Sequence, residues 1–483
     1  MKILILGAGT VGGTVAYNLA NYSNYEITVI DQDEMALQKL NTKLDIQTLL
    51  GNATSPSVLA AAGAQDTELL IAATATDDTN LVACRLAKEI FNIPKIIARI
   101  RQSEIMEYDF TIAENEAEVK SVPVSLFNAN QSICPEQIVT EQLTQLLDVP
   151  GALQVIDFGA QKQNEKNAKT VEDDTSKIQL IVTRVQNTSP FIGHTLAEFD
   201  AITPKESKAK ICMIYRNETL IIPNDKNKLI SGDEVYFLCE KKWVSELMNS
   251  FRPNEIQNKR IMIAGGGNIG MRLAQALTSR YQVKVIEKNP LRTQHLAEVL
   301  NEPLVLEGTA TDEELLHSER VDEVDMFFAL TNDNEDNIMS SLLAKRLGAK
   351  RVAAIINNSI YISILVGNAI DIMISPHLAT IGSLLAHIRK GDVVAVHPLR
   401  RGEAEALEVI IHGDENSSKL AGRQIQSINW PHGIHLAGVI SDGQLITHNQ
   451  HVLKENDHLI CVVFRKKAVR ELEKLLQVTW QFF

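Results

Sequence analysis

A motif of the form G-x-G-x-x-G occurs twice in this chain, at Gly7-Ala8-Gly9-Thr10-Val11-Gly12 and at Gly265-Gly266-Gly267-Asn268-Ile269-Gly270, with 258 positions between their first glycines. The first copy follows four apolar residues, 3–6, too short and too β-branched for a helix and suited to a buried parallel strand. Apolar residues at helical spacing follow over 14–20. A second strand over 27–30 then ends on Asp31, about 20 residues past the glycines, where a dinucleotide fold places its ribose acid. The second copy repeats the order: strand 261–264, glycines, helix, strand 283–286 and an acid, Glu287. Each glycine has a mechanical task. Gly7 makes the tight turn, Gly9 lets the backbone approach a pyrophosphate, and Gly12 lets the helix pack closely. The helix N-terminus supplies N–H groups and positive dipole for phosphates. The chain is a duplication with a nucleotide site expected in each half.

At 483 residues the chain exceeds one core and implies three or four domains. With 45% hydrophobic and 22% charged residues it has the composition of an ordinary globular protein. The net charge of −13 argues against nucleic acid as a partner, which needs a basic stripe. No apolar run approaches the roughly 18–20 residues needed to span a bilayer. Met1 leads directly into the first strand, so a cytosolic protein without a leader is expected. Cys84, Cys134, Cys212, Cys239 and Cys461 are scattered and odd in number, which fits reduced cysteines and neither a metal site nor disulfides. There is no H-E-x-x-H, G-x-S-x-G or Walker lysine.

In the first half, a helix over 34–44 and a strand over 46–50 lead to Gly51-Asn52-Ala53-Thr54. Thr54 or Ser55 is expected to cap a helix that carries Pro56 in its first turn. The fourth strand, 69–73, runs into the polar cluster Thr74–Asn80, which includes Asp78, at the strand end where doubly wound folds bind ligands. A helix over 81–91 and a strand over 95–100 follow, with Arg99 and Arg101 at its outer end. Strands alternating with helices give a parallel sheet covered on both faces. Residues 102–122 are polar, and Ser121-Val122-Pro123 reads as the exit from this domain. The helix 135–147 is a hinge, a dimer contact or amphipathic packing. The charged segment 164–177 reads as a linker. A small α+β domain follows: strand 178–185, short helix 195–199, strands 210–215 and 219–222 joined by a hairpin, strand 234–239 and a closing helix 242–251. His194 there reads as a helix-entry residue.

The second half retraces this plan. Gly308-Thr309-Ala310-Thr311 stands for the segment around Asn52, and Thr331-Asn332 through Asn337 for Thr74–Asn80. Asn357 and Asn358 stand where the first half has Arg99 and Arg101. The small domain recurs as strand 408–411, helix 420–428, strands 436–440 and 443–447 around an Asp442-Gly443 turn, strand 457–464 and helix 466–476. The fold class is α/β, two Rossmann-like doubly wound parallel sheets, each followed by a small α+β domain. The expected domains are 1–123, 124–251, 259–375 and 376–483.

With these motifs in order along essentially the whole chain, the sequence resembles the TrkA family of Trk-system potassium uptake proteins, tandem pairs of regulator-of-potassium-conductance (RCK) units. The matching stretches include 2–20, 28–33, the Gly51 and Gly308 segments, 73–84 and 383–408. The resemblance implies a cytosolic regulatory subunit, peripheral on the inner face of the cell inner membrane through its partner. It implies binding of NAD(H) and of ATP or ADP, assembly as a homotetramer, and gating of a membrane potassium-translocating subunit. Two departures stand out: Asn52 and Thr309 replace the aspartate of the family's Gly-Asp-Ala-Thr motif, and the first small domain has Gln154 where the second has Glu405.

An NAD-dependent dehydrogenase is the enzymatic alternative, and a scaffold with vestigial pockets is the structural one. A dehydrogenase needs a substrate domain that offers an acid or base to the nicotinamide. Each nucleotide domain here is followed by about 100 residues without such a constellation, and then the sequence repeats. Asp31 and Glu287 repel a 2′-phosphate, so NAD(H) is expected over NADP(H). Arg99 and Arg101 are expected to give the first half the tighter ATP or ADP site, because the second half offers only Asn357 and Asn358 there.

Overall fold

The computed structural model describes residues 1–20, 25–102, 131–159, 178–255, 257–358, 361, 365, 369–389 and 393–478. The Ser121–Pro123 exit, the 164–177 linker and all but the first residue of the 102–122 segment lie outside these. The chain divides into two compact units, residues 1–138 with 376–384 and residues 139–375 with 385–483.

The first unit holds a six-stranded sheet. Its strands are β1 (Lys2–Leu6), β2 (Glu26–Asp31), β3 (Gln47–Leu50), β4 (Leu69–Ala72), β5 (Lys95–Arg99) and β6 (Gln131–Ile133). They pair in parallel in the order β3-β2-β1-β4-β5-β6, the Rossmann order. Leu4, Leu6, Leu70, Ala72, Ile96 and Ala98 point to one face and meet Leu81, Cys84 and Ala87 of the helix Asp77–Glu89. That helix begins four residues before the expected start, because Thr76 caps it by accepting a hydrogen bond from the Thr79 amide. Ser55 occupies the cap position of helix Pro56–Ala61 but makes no cap bond; its hydroxyl pairs with Ser57 instead. The sixth strand extends the sheet past position 123.

The second unit opens, after helix Pro135–Asp148, with a five-stranded antiparallel sheet. It comprises β7 (Ala152–Phe158), β8 (Ile178–Arg184), β9 (Lys210–Arg216), β10 (Thr219–Ile221) and β11 (Glu234–Glu240), ordered β10-β9-β11-β8-β7. Asn217 and Glu218, both in the left-handed region, make the β9–β10 turn. Thr195 and Glu198 form a capping box on helix Leu196–Ile202. A second parallel sheet follows: β12 (Arg260–Ala264), β13 (Gln282–Glu287), β14 (Leu304–Glu307), β15 (Met326–Ala329), β16 (Arg351–Ile355) and β17 (Ile372–Ile374), ordered β14-β13-β12-β15-β16-β17. Last come β18 (Val393–Leu399), β19 (Ala404–Ile410), β20 (Ile434–Ser441), β21 (Gln444–Ile446) and β22 (His458–Val463), ordered β18-β19-β22-β20-β21. This is the topology of the first antiparallel sheet, strand for strand.

That topology corrects two expectations. Gln154 lies on β7, whose counterpart is β18, whereas Glu405 lies on β19, the counterpart of β8; they are not equivalent positions. The expected helix 420–428 is absent. Gly422 takes a positive φ of 78° and gives its amide to Leu453, and only a 3-10 turn, Ile425–Ser427, forms.

The two small sheets share one core. Ile156, Phe158, Leu180, Tyr236 and Leu238 of the first pack with Ala406, Ala437, Ile440, Ile460 and Val462 of the second. Alternation sends Phe237 to the opposite face, where its ring stacks on Phe251 of helix Val244–Phe251 at 5.0 Å. Burial on both faces explains why strands such as β9, β11 and β22 read as continuous apolar runs. Polar ties cross the same junction: Gln154 Nε2 donates to the Pro398 carbonyl at 3.0 Å, and the Arg400 guanidinium sits 3.9 Å over the Tyr215 ring.

On the face of β19 opposite this junction Arg389 donates to Glu405 at 2.5 Å, with side chains 2% and 6% exposed. Removing one partner of a buried pair strands the other charge, which costs about 3–5 kcal/mol. Glu405→Ala is therefore expected to lower stability by that amount in urea unfolding, and the apolar pair Arg389→Met with Glu405→Leu to recover most of it. A neutral Glu405→Ala would contradict this.

Candidate functional site

Each glycine motif turns at the carboxyl end of the first strand of its parallel sheet. Gly7 and Gly265 have φ of 105° and 102°, open to glycine and strained for other residues. A Cβ at Gly7 would lie 2.6 Å from the Ala73 carbonyl oxygen, and one at Gly265 would lie 2.9 Å from the Thr331 nitrogen. These glycines let the strand-four turn close over the loop. Gly12 and Gly270 lie in the first turns of helices Thr10–Ala20 and Asn268–Leu277, with Thr10, Val11, Asn268 and Ile269 beside them. A Cβ on either would stand 1.9 Å from the carbonyl oxygen of Gly7 or Gly265. Gly9 and Gly267 differ: nothing lies within 4 Å of a Cβ there. The middle glycine of each loop faces open space, where a pyrophosphate would need to approach.

The acids hold these loops. Asp31 accepts a hydrogen bond from the Ala8 amide through Oδ2 and from the Asp33 amide, at 2.8 Å, through Oδ1. Glu287 accepts from Gly266 and Asn289, both at 2.9 Å. The acids' own carbonyls accept from Gly51 at 2.8 Å and Gly308 at 3.0 Å, which anchors the third-strand ends. Asn52 then folds back to accept both the amide and the hydroxyl of Thr54 at 2.9 Å, with Ala53 buried between them. In the second half the Thr309 and Thr311 hydroxyls pair at 2.9 Å, and Asp312 caps the next helix. The structure thus brings the glycine loop, the acid, the 52–54 or 309 segment and Thr74 or Thr331 to one sheet end, on strands ordered three-two-one-four.

The polar cluster after strand four has an internal pin that the sequence reading did not single out. Asn80 is 1% exposed; its Oδ1 accepts from the Thr74 amide at 2.8 Å and hydroxyl at 2.7 Å, and its Nδ2 donates to the Arg99 carbonyl at 2.9 Å. Asn337 repeats all three bonds with Thr331 and the Ile355 carbonyl. A Thr and an Asn six residues apart in both halves is the sequence signal for this pin. Asp78 and Asn332 are exposed beside it. Asp77 accepts from the Arg101 amide at 2.8 Å, and Asn334 accepts from the Asn357 amide at 2.7 Å.

Arg99 ends β5, at the carboxyl end of the sheet. Its guanidinium pairs with Glu136 at 3.5 Å, and burial, with Arg101 beside it, pulls it below the usual arginine range. Burial together with Arg99 holds His377 near a pKa of about 4, hence uncharged at neutral pH. In the second half a cation reaches the glycine loop. Arg292 Nε donates to the Gly266 carbonyl at 2.8 Å, and its Nη2 reaches the Asn268 side chain at 3.4 Å. Arg292 stands five positions past Glu287, and the first half has Ala36 at that spacing from Asp31. Lys288 is occupied by Asp336 at 3.1 Å.

All five cysteines are buried and none forms a disulfide, and burial pushes the thiols of Cys84, Cys212 and Cys461 up to about 12. Burial likewise raises Cys239, so these four thiols stay protonated and are poor nucleophiles at neutral pH. Among the described residues no group of His, Cys, Asp or Glu is placed to hold a metal ion, and no helix is long and apolar enough to cross a membrane.

Fold and paired glycine-loop sites define a tandem Rossmann-type protein with a small antiparallel domain after each parallel one. The TrkA-N domain family matches residues 3–109 and 261–376, and the TrkA-C domain family matches residues 180–252. The chain belongs to the TrkA family of Trk-system potassium uptake proteins. It is 41% identical over 484 aligned residues to the Trk system potassium uptake protein TrkA of Halomonas elongata, covering 100% of both chains. It is 40% identical to that of Vibrio alginolyticus and 38% identical to that of Haemophilus influenzae, each over 99% of both chains. Among solved structures, the GsuK RCK domain has the same fold, with a TM-score of 0.59 at 18% identity over 98% of this chain and 94% of that one. The GsuK channel bound to NAD gives 0.58 at 16% identity over 98% and 78%.

The glycines separate packing from binding. Gly12→Ala is expected to destabilise the first unit by about 1–3 kcal/mol, because a backbone oxygen blocks its Cβ. Gly9→Ala is expected to leave thermal unfolding unchanged while weakening NADH binding at that site. Equal effects of both on unfolding would show that Gly9 is also a packing glycine.

Proposed function

We propose that this chain is the cytosolic, nucleotide-sensing regulatory subunit of a Trk-type potassium uptake system. It binds NAD(H) and ATP or ADP at its two glycine loops, assembles as a homotetramer, and gates a membrane potassium-translocating partner that holds it at the inner face of the membrane. The observation that carries this is the duplication itself: two intact sites with the same loop, acid and pin geometry, in a chain aligned from end to end with relatives named for potassium uptake. NAD on the GsuK channel, a protein of the same fold, is in keeping with it.

Within each site the middle glycine, Gly9 or Gly267, and the first helical turn receive the pyrophosphate. Asp31 and Glu287 each accept one loop amide and one amide beyond the strand, and carboxylate oxygens have further acceptor sites for ribose hydroxyls. Asn52–Thr54, Thr74 and Asp78 in the first half, and Thr309, Thr331 and Asn332 in the second, border the adenosine and nicotinamide ends. Arg99 and Arg101 are assigned to the phosphates of the first site, which is the tighter one for ATP or ADP, while Arg292 donates to the Gly266 carbonyl of the second loop. The domains are assigned as 1–123, 124–251, 259–375 and 376–483.

Nucleotides act by binding one arrangement of the domains better than another. A hydride-transfer role lacks support, since the regions between the nucleotide domains are filled by small sheets with a buried apolar core.

The deciding experiment is co-purification with a Trk-type membrane subunit, followed by potassium flux with and without NADH, ATP and ADP. Nucleotide-dependent flux that needs this chain is expected. Flux indifferent to every nucleotide, or steady NADH oxidation with a panel of small carbonyls, would contradict the proposal.

A further inference from the structure

The parallel sheet of the second unit has a second, basic concavity at the end opposite its glycine loop. Asp325 precedes β15, Arg351 begins β16 and Asp371 precedes β17, so these residues mark the amino ends of the strands. The first small domain closes over them with Gly151 and Leu153 at the start of β7, Arg184 at the end of β8, and Arg252 after helix Val244–Phe251. The cavity measures about 310 Å³, within the range of roughly 300–1,000 Å³ usual for small-molecule sites.

Its charges do not balance. Arg184, Arg252, Lys345, Lys350 and Arg351 line it, against Glu255, Asp325 and Asp371. Each acid is already engaged. Asp325 accepts from the Lys259 and Arg260 amides at 2.7 and 2.9 Å and from Lys350 at 2.6 Å. Asp371 accepts from the Val352 amide and Lys345, both at 2.8 Å. Glu255 accepts from Arg252 at 2.9 Å. Among the described residues no carboxylate lies within hydrogen-bonding distance of Arg351. It is 9% exposed; Nη2 donates to the Ala152 carbonyl at 2.5 Å, while Nη1 is buried with no acceptor. A guanidinium removed from water without an anion or a full set of acceptors is costly, so the site is built for a negative group.

We propose that this cavity is an anion site, separate from the glycine loops, that takes a small phosphate-bearing ligand on Arg351. Its walls come from the first small domain and the second nucleotide domain, so occupancy holds the two together. Free phosphate and a phosphomonoester share the recognised chemistry.

Calorimetry on the full-length protein tests this, with inorganic phosphate and AMP as probes. Binding of at least one probe is expected to persist in the double variant Gly9→Val, Gly267→Val, in which both glycine loops are blocked. Arg351→Gln is expected to weaken it roughly ten- to hundredfold, while NADH binding at the glycine loops is retained. Lys350→Gln, at a lining residue whose side chain is half exposed, keeps the question open to test if Arg351→Gln fails to fold; it should weaken binding several-fold. The tighter probe in the loop-blocked protein identifies the source. Absence of binding in that protein, or affinities in the Arg351 and Lys350 variants equal to that of the wild type, would overturn the proposal. Loss of NADH binding at the loops alone would bear on the proposed nucleotide function and not on this site.

Discussion

A carboxylate at the end of the second parallel strand, bonded to an amide of the glycine loop, is the contact on which both sites depend. Asp31 makes it with Ala8 and Glu287 with Gly266. Without it the loop would be a run of glycines with high backbone entropy and no fixed path. With it, the loop is set in place before any ligand arrives, which reduces the ordering cost of binding. The same acids anchor Gly51 and Gly308 through their backbone carbonyls, so one residue in each half organises three strand ends. Asn80 and Asn337 do the corresponding work for the fourth strand end, by cross-linking it to the fifth.

The second dependency is the core shared by the two small sheets. Neither sheet is covered by its own helix on that face; each uses the other. The halves of the chain are therefore joined by apolar burial in addition to sequence, with Gln154, Arg400 and the Glu408 contact to the Gly159 amide at 3.2 Å along the seam. Large apolar burial of this kind is a stiff connection.

The sequence made most of the parallel architecture legible, because strands β1 to β5 and β12 to β16 are short apolar runs punctuated by glycines and caps. The positions of the acids and of the three loop glycines were legible for the same reason. The sixth strands were not: Gln131–Ile133 and Ile372–Ile374 are three residues each, below any usable period. The edge strands β7 and β18 were missed for a different reason. Pro398 interrupts β18, which an edge strand tolerates and a central one does not. The pairing of the small sheets did leave a trace, in strands apolar on both faces where a sheet exposed on one side would alternate. The commitment of Arg99 to Glu136 was invisible, since its partner lies 37 residues away on a helix that had no assigned neighbour. Arg292 could have been found by aligning the halves on their acids.

The most direct measurement counts NADH molecules bound per chain by calorimetry, in the wild type and in Asp31→Ala and Glu287→Ala. Two per chain are expected in the wild type and one in each single variant, with the double variant silent. A wild-type stoichiometry of one, or variants that still bind two, would contradict a pair of sites each organised by its acid.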